Sequence, residues 1–307
     1  MTTQTENYLI TIVGPTAIGK TALSIQLAKH FNADIISCDS RQFYKEMTIG
    51  TAVPEPEELA AATHHFIQNR SVFEDYSVGQ FERDALEKLD ALFLKNNVVI
   101  MVGGSGLYVD AVLNGLDYFP DIAPEIRENI NKQLATKGIS ALQTQLKALD
   151  PETYQTIALD NPHRLIRALE ICIGTGKTYA SFKNKPKAPR PFTSIKIGLT
   201  ADREIMYNRI NKRVEIMLEN GLLAEAKTLH PHKKLNALQT VGYRELFSYF
   251  DGEITQEFAV QEIQKNTRRF AKRQVTWFKK DTSILWFDYL TKSTTIIENL
   301  TKLITKK

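Results

Sequence analysis

The segment Gly14-Pro15-Thr16-Ala17-Ile18-Gly19-Lys20-Thr21 carries the G-x-x-x-x-G-K-[ST] spacing. With that spacing a chain can fold its backbone N–H groups around phosphate oxygens at a helix amino terminus. Lys20 would neutralise the terminal phosphate, and the Thr21 hydroxyl would reach a Mg²⁺ ion. Asp39 follows in IISCDSRQ. Ligands of open α/β sheets bind beyond the carboxyl ends of the strands, so Asp39 is expected in the same crevice. Its other reading is a cap for the next helix. A third segment, Gly103-Gly104-Ser105-Gly106-Leu107-Tyr108, reaches the same edge. Its glycines would admit a closely approaching substrate, or simply make a turn. His64-His65 has no Cys or acid at ligand spacing and is not read as a metal site.

These segments need a scaffold. Tyr8–Val13, Ile35–Ser37, Val98–Val102, Ile195–Leu199 and Ile284–Phe287 are short apolar runs separated by helical text. Parallel strands cannot be joined by tight turns, so the pattern predicts a parallel sheet with helical crossovers. The expected class is α/β: a P-loop NTPase-like parallel sheet flanked by helices, with an inserted all-helical domain. Residues 118–193 form that insertion, edged by Pro120, Pro124, Pro186, Pro189 and Pro191; residues 1–117 and 194–307 form the core. Asn161-Pro162 reads as a helix start, which puts Arg164 and Arg167 on one helix face. Asp202 is a candidate cap for a long helix whose Met206, Ile210, Val214 and Met217 should face the core, with Arg209 and Arg213 on a neighbouring face. Near the carboxyl end Lys265, Arg269 and Arg273 fall at i, i+4 and i+8 and form a cationic stripe. Phe270, Trp277 and Phe278 among these charges are expected to be core anchors.

The 307 residues carry a net charge of +4 with 24% charged residues, an ordinary globular composition that excludes a disordered or fibrous chain. The charge is uneven. Residues 256–280 hold seven Lys/Arg and two acids. Residues 176–196 hold Lys177, Lys183, Lys185, Lys187, Arg190 and Lys196 with no acid. Two basic blocks on a nearly neutral body point to a polyanionic partner. No stretch approaches the ~18 apolar residues of a membrane span. MTTQTENYLITIVG has no basic region ahead of its apolar run, so it reads as a first strand rather than a secretory signal. With only Cys38 and Cys172, the expected location is the reducing cytoplasm.

A phosphate-binding loop by itself does not name a reaction. The order and spacing of the remaining motifs do more: GPTAIGKTALSIQLA, DSRQFYKEMTIGTA, HHF, YSVGQFERDA, VGGSGLY, NPHRLIRALEI, RVEIMLENGLLAEA, TVGYRELFSYF and RRFAKRQVTWFKK. Together they resemble the bacterial tRNA dimethylallyltransferases (tRNA isopentenyltransferases) through nearly the whole chain. The resemblance implies transfer of a dimethylallyl group from dimethylallyl diphosphate to the exocyclic amine of the adenosine 3′ of the anticodon, by a monomer using Mg²⁺. It implies catalytic roles for Asp39, Lys20 and Thr16, with the loop Gly14 to Thr21, and Arg209 or Arg213, holding the diphosphate. It implies tRNA contacts at Asp39, Ser40, Arg41, Gln42, Ser105, Arg127 and His163-Arg164-Leu165-Ile166-Arg167, on a movable insertion that clamps the anticodon stem-loop. The Lys265/Arg269/Arg273 stripe would add phosphate contacts. Two positions depart from the family pattern: Val53 stands where Lys is usual (TAVP for TAKP), and Ser105 where Thr is usual.

Three rival readings exist. A small-molecule or nucleoside kinase would place ATP in the same loop but leaves the basic blocks without a role. An adenylate isopentenyltransferase would act on a free nucleotide, which does not need two separated cationic surfaces. An RNA-binding protein merely regulated by nucleotide would not need Asp39.

Overall fold

A computed structural model of the chain describes residues 6–305. They form two compact units, one from the flanking segments up to Asn114 and from Arg190, the other Gly115–Pro189. The helical unit therefore begins and ends a few residues ahead of the expected 118–193. The first unit is built on a wholly parallel six-stranded sheet. Its strands are β1 (Tyr8–Val13), β2 (Ile35–Ser37), β3 (His64–His65), β4 (Val98–Val102), β5 (Thr193–Thr200) and β6 (Leu285–Asp288), in the order β3-β2-β4-β1-β5-β6. Central β1 pairs with β4 from Tyr8 opposite Val98 to Ile12 opposite Val102, and with β5 from Tyr8 opposite Thr193 to Val13 opposite Gly198.

Side chains alternate across a strand, and both faces of β1 are covered, so every β1 residue is buried. Leu9 and Val13 join Ile36, Val99 and Met101 in a core on one face. Tyr8, Ile10 and Ile12 join Ile35, Ile100 and Ile197 on the other. The edge strand β3 was not foreseen, because two residues are too few to show a period. There His65 Nε2 meets Asp34 Oδ2 at 2.8 Å, and His64 Nδ1 lies 2.8 Å from the Ala62 carbonyl.

Four helices precede the second unit: α1 (Lys20–Phe31), α2 (Pro56–Ala61), α3 (Val78–Phe93) and α4 (Gly106–Asn114). The second unit holds α5 (Pro124–Lys137), α6 (Ile139–Leu149), α7 (Pro151–Thr156) and α8 (Pro162–Thr175) around its own core of Ile130, Leu142, Leu146, Leu165, Ile166 and Leu169. Asn161 caps α8, its side chain accepting from the Arg164 N–H, and Gly176 closes the helix in the left-handed conformation at φ 68°. The first unit resumes with α9 (Arg203–Glu219), α10 (Leu222–Leu229), α11 (Tyr243–Phe250), α12 (Gln256–Phe278) and α13 (Ser293–Thr305). Asp202 sits at the cap position of α9 without making a side-chain cap bond. Among the described residues no helix is long and apolar enough to cross a membrane.

Candidate active site

The loop between β1 and α1 turns on left-handed residues: Gly14 at φ 143°, Ala17 at 63° and Gly19 at 107°. A Cβ on Gly14 would stand 2.6 Å from the Leu199 carbonyl oxygen, so this position is closed to other residues on both counts. Gly19 caps α1 with no side chain, leaving the helix's first N–H groups to an incoming anion. Lys20 folds back over the loop and donates to the Pro15 carbonyl at 2.7 Å. Burial pulls its pKa down to about 8, with Asp39 opposing the shift and Arg213 adding to it.

Helix α9 decides which arginine serves the loop's inner side. Arg213 donates to the Thr16 hydroxyl at 3.3 Å and lines a cavity of about 480 Å³ together with Thr16 and Asp39. Burial lowers its pKa while Asp39 raises it. Arg209 donates to the Ala17 carbonyl at 2.8 Å and lies over the Tyr289 ring, bracing the loop without lining the cavity. Ile210, Val214 and Met217 line the same cavity, so the apolar stripe of α9 is also an apolar wall.

Asp39 lies just past the end of β2, where a turn rather than a helix follows, so it caps no helix. Its Oδ1 accepts from the Arg41 N–H at 3.1 Å, and the residue lines the cavity. Ser105 is tied to its neighbour: the Ser40 N–H donates to Ser105 Oγ, and Ser105 Oγ donates to Ser40 Oγ, both at 3.1 Å. Arg41 donates to the Asn236 and Ala237 carbonyls at 3.2 and 3.0 Å.

Several expectations need correction. Gln42 is not on the cavity wall; its amide donates to the Thr51 and Ala52 carbonyls and accepts from Ser37, bracing the 48–52 loop. Leu165 and Ile166 are 0% and 4% exposed in the helical core, so in that stretch only His163, Arg164 and Arg167 offer side chains at the surface. Phe270 and Trp277 are not core anchors: at 38% and 39% exposed they line the cavity, and only Phe278 is buried. The glycines of 103–106 make room for protein side chains, and Gly104 and Gly106 also line the cavity. Added Cβ atoms would strike Cys38 Sγ at Gly103, Gln274 Nε2 at Gly104 and the Trp277 indole at Gly106.

The basic groups divide. On the helical unit Arg127 and Arg167 both donate to the buried Glu170 carboxylate, at 3.1 and 2.9 Å, and Arg167 lies over the Phe119 ring. On α12 Lys265 is bonded to Glu262, Arg269 reaches Asn266, and Arg273 lines the cavity. In residues 176–196, Lys187, Arg190 and Lys196 are paired with Asp117, Glu82 and Asp281, which removes half of that block's free charge. Val53, where Lys is usual in the resembling family, is buried beside the Thr48–Ala52 turn, its N–H donating to the Thr48 carbonyl.

Two residues were missed. Gln274 and Glu225 sit on helix faces otherwise occupied by apolar side chains, and a lone polar residue in such a stripe was the available signal. Both Glu225 oxygens are saturated: one accepts from the Thr48 and Ile49 N–H groups, the other from the Gly50 N–H and the Tyr243 hydroxyl, at 2.7–2.9 Å. This fixes the loop whose Gly50, Thr51 and Ala52 line the cavity. Burial, reinforced by the Glu225 carboxylate, holds the Tyr243 hydroxyl protonated. Glu225→Ala orphans four donors and is expected to cost about 2–3 kcal/mol, lowering the melting temperature by about 5 °C. A melt within 1 °C of wild type, read by calorimetry (the margin being roughly a few tenths of a kcal/mol), would remove the anchoring role.

Magnesium takes oxygen ligands and is commonly held by one or two protein groups plus substrate phosphates. The Thr21 hydroxyl in the first turn of α1 and the Asp39 carboxylate at the end of β2 are donors of that kind. Among the described residues no three of His, Cys, Asp or Glu gather to hold a metal.

Comparison with known proteins bears on all of this. The model of a family described as IPP transferase matches residues 42–281. A tRNA dimethylallyltransferase of Flavobacterium psychrophilum is 64% identical, covering 95% of this chain and 97% of its own. The crystal structure of a tRNA isopentenylpyrophosphate transferase from Bacillus halodurans superposes with a TM-score of 0.74 at 35% identity, covering 98% of both chains. A eukaryotic dimethylallyltransferase, described as acting on tRNA, gives a TM-score of 0.83 at 25% identity, covering 98% of this chain and 80% of its own.

Proposed function

The chain belongs to the IPP transferase family, and from that premise we propose how its residues carry out dimethylallyl transfer to tRNA. The enzyme moves the dimethylallyl group of dimethylallyl diphosphate to the exocyclic amine of the adenosine 3′ of the anticodon and releases diphosphate. The observation that carries the assignment of roles is one cavity that joins the phosphate loop, through Thr16, to Arg213, Asp39 and an apolar wall.

The C–O bond of the allylic diphosphate breaks with its electron pair going to the leaving group. Arg213, Lys20, the Thr16 hydroxyl and the N–H groups at the start of α1 receive that charge, and because these donors are already in place little reorganisation is needed. Mg²⁺ bound through Thr21 and the diphosphate would supply further neutralisation. Ile210, Val214 and Met217 keep water from the electron-poor allylic carbon, so the amine is the nucleophile available. As the N–C bond forms, the Asp39 carboxylate takes the amine proton; its other oxygen stays bonded to the Arg41 N–H. Phe270 and Trp277 offer faces for a base.

An adenine stacked in an anticodon loop cannot reach this carbon, so the base must be swung out, and contacts to the loop backbone must offset the unstacking. His163, Arg164, Arg167 and Arg127 on the helical unit, with Ser40, Arg41, Ser105, Lys265, Arg269 and Arg273 on the core, are the tRNA contacts of this reading. The enzyme works as a cytoplasmic monomer.

Labelled dimethylallyl diphosphate, Mg²⁺ and unmodified anticodon stem-loop RNA test the reading. Label is expected in the RNA, with none transferred to free AMP and no phosphotransfer from ATP. Unlabelled RNA in the presence of folded protein sinks it.

A further inference from the structure

The side chain of Gln274 is buried, at 5% exposed, on α12 between the loop that leaves β1 and the loop that leaves the adjacent β4. Its Oε1 accepts from the Thr16 N–H of the phosphate loop at 2.9 Å, and its Nε2 donates to the Gly104 carbonyl at 2.9 Å. A Cβ on Gly104 would lie 2.1 Å from that Nε2, so the glycine is what lets the amide in. The chain of contacts continues. Gly104 adjoins Ser105, whose hydroxyl accepts from the Ser40 N–H, and Ser40 adjoins Asp39. On the other side, Thr16 meets Arg213 through its hydroxyl.

We propose that Gln274 is a positioning residue that fixes the distance between the diphosphate cradle and the Asp39 base, by clamping the Thr16 N–H and the Gly104 carbonyl with the two ends of one amide. The proposal rests on the transferase reading and assigns this residue a part in it. Only a side chain with an acceptor and a donor at one terminus can serve. A carboxylate would accept from Thr16 but would set a second oxygen against the Gly104 carbonyl, whereas a protonated carboxyl would replace the amide in both bonds.

That difference gives a readout which simple loss of packing would not produce. Gln274→Glu and Gln274→Leu are compared with wild type from pH 5.5 to 9 in two assays, kcat/KM for dimethylallyl transfer and the affinity for inorganic pyrophosphate. Both quantities are expressed as ratios to wild type. Gln274→Leu is expected to lose at least tenfold in kcat/KM at every pH, and several-fold in pyrophosphate affinity. Gln274→Glu should match wild type within about twofold while its carboxyl is protonated. Its ratio should then fall toward the Leu variant's as the group ionises; burial raises that pKa above the ordinary ~4.3 and brings the step toward the range scanned.

Should Gln274→Leu fold too poorly to assay, the pH step in Gln274→Glu still reads the clamp. A cooperatively folded Gln274→Leu within twofold of wild type in both assays overturns the proposal, as does a Gln274→Glu variant that keeps its wild-type ratio with its carboxyl ionised. If the wild type transfers no label, the transferase reading fails, and the pyrophosphate ratios alone still decide for or against the clamp.

Discussion

Asp39→Asn is expected to lower kcat/KM for tRNA prenylation about a thousandfold, the middle to upper part of what a positioned general base contributes, while leaving the affinity for the anticodon stem-loop within a few-fold of wild type. The substitution is chosen for its geometry. Asp39 Oδ1 accepts from the Arg41 N–H, and the Asn carbonyl oxygen can keep that bond, so the turn and the neighbouring Ser40–Ser105 pair stay in place. What disappears is the capacity to take a proton and the negative charge facing Lys20 and Arg213. Rate and affinity should therefore separate. Single-turnover transfer with saturating RNA measures the first, and filter binding at fixed salt the second, since phosphate contacts make affinity salt-dependent. Transfer at near wild-type rate in the Asn variant would remove Asp39 as the base. It would leave the residue with its bond to the Arg41 N–H, a structural part in the turn.

Lys20→Met should cost about a hundred- to a thousandfold in kcat/KM, the range seen when one preorganised donor to a developing oxyanion is lost. Most of the loss should lie in the chemical step if the ammonium meets charge that develops on the leaving diphosphate. A pH profile gives a sharper test. Burial holds the Lys20 pKa near 8 in the free protein. Below that value the group is charged and ready for an anion; above it the charge is lost. kcat/KM, which reports free-enzyme ionisations, should decline as pH rises through about 8. Bound diphosphate favours the ammonium, so the corresponding limb in kcat should move to higher pH. Lys20→Arg keeps its charge throughout and should lose the decline, at a lower plateau because a planar guanidinium does not reproduce the ammonium's contacts. A wild-type kcat/KM that is level from pH 7 to 9.5 would show that the charge of Lys20 is not used.

How far the sequence was legible varied with the kind of feature. The phosphate loop was readable because its geometry is set within eight contiguous residues: the positive φ of Gly14 and Gly19 and the start of α1 at Lys20 follow from residue types that permit them. Asn161-Pro162 announced α8 for the same local reason. The central strands showed as apolar runs because β1 is covered on both faces. Phe270 and Trp277 were misread because an aromatic on a helix looks the same facing a core or a cavity. The glycines after β4 were seen, but the protein atoms that fill their empty Cβ positions were not.

The amino-acid sequence alone thus determined the α/β class, the strand–loop–helix of β1 and α1, the position of Asp39 just past a strand end and the family to which the motifs point. Each depends on neighbours in the chain, where backbone preferences act directly. Tertiary structure alone chose Arg213 over Arg209 for the cavity, set Gln274 between Thr16 and Gly104, and loaded Glu225 with the N–H groups of a loop it meets from another helix. Thr16 and Gln274 are 258 residues apart, and Arg213 and Thr16 are 197 apart. Contacts at such separation are fixed by the packing of whole elements against the sheet, a sum over many side chains that no local pattern records.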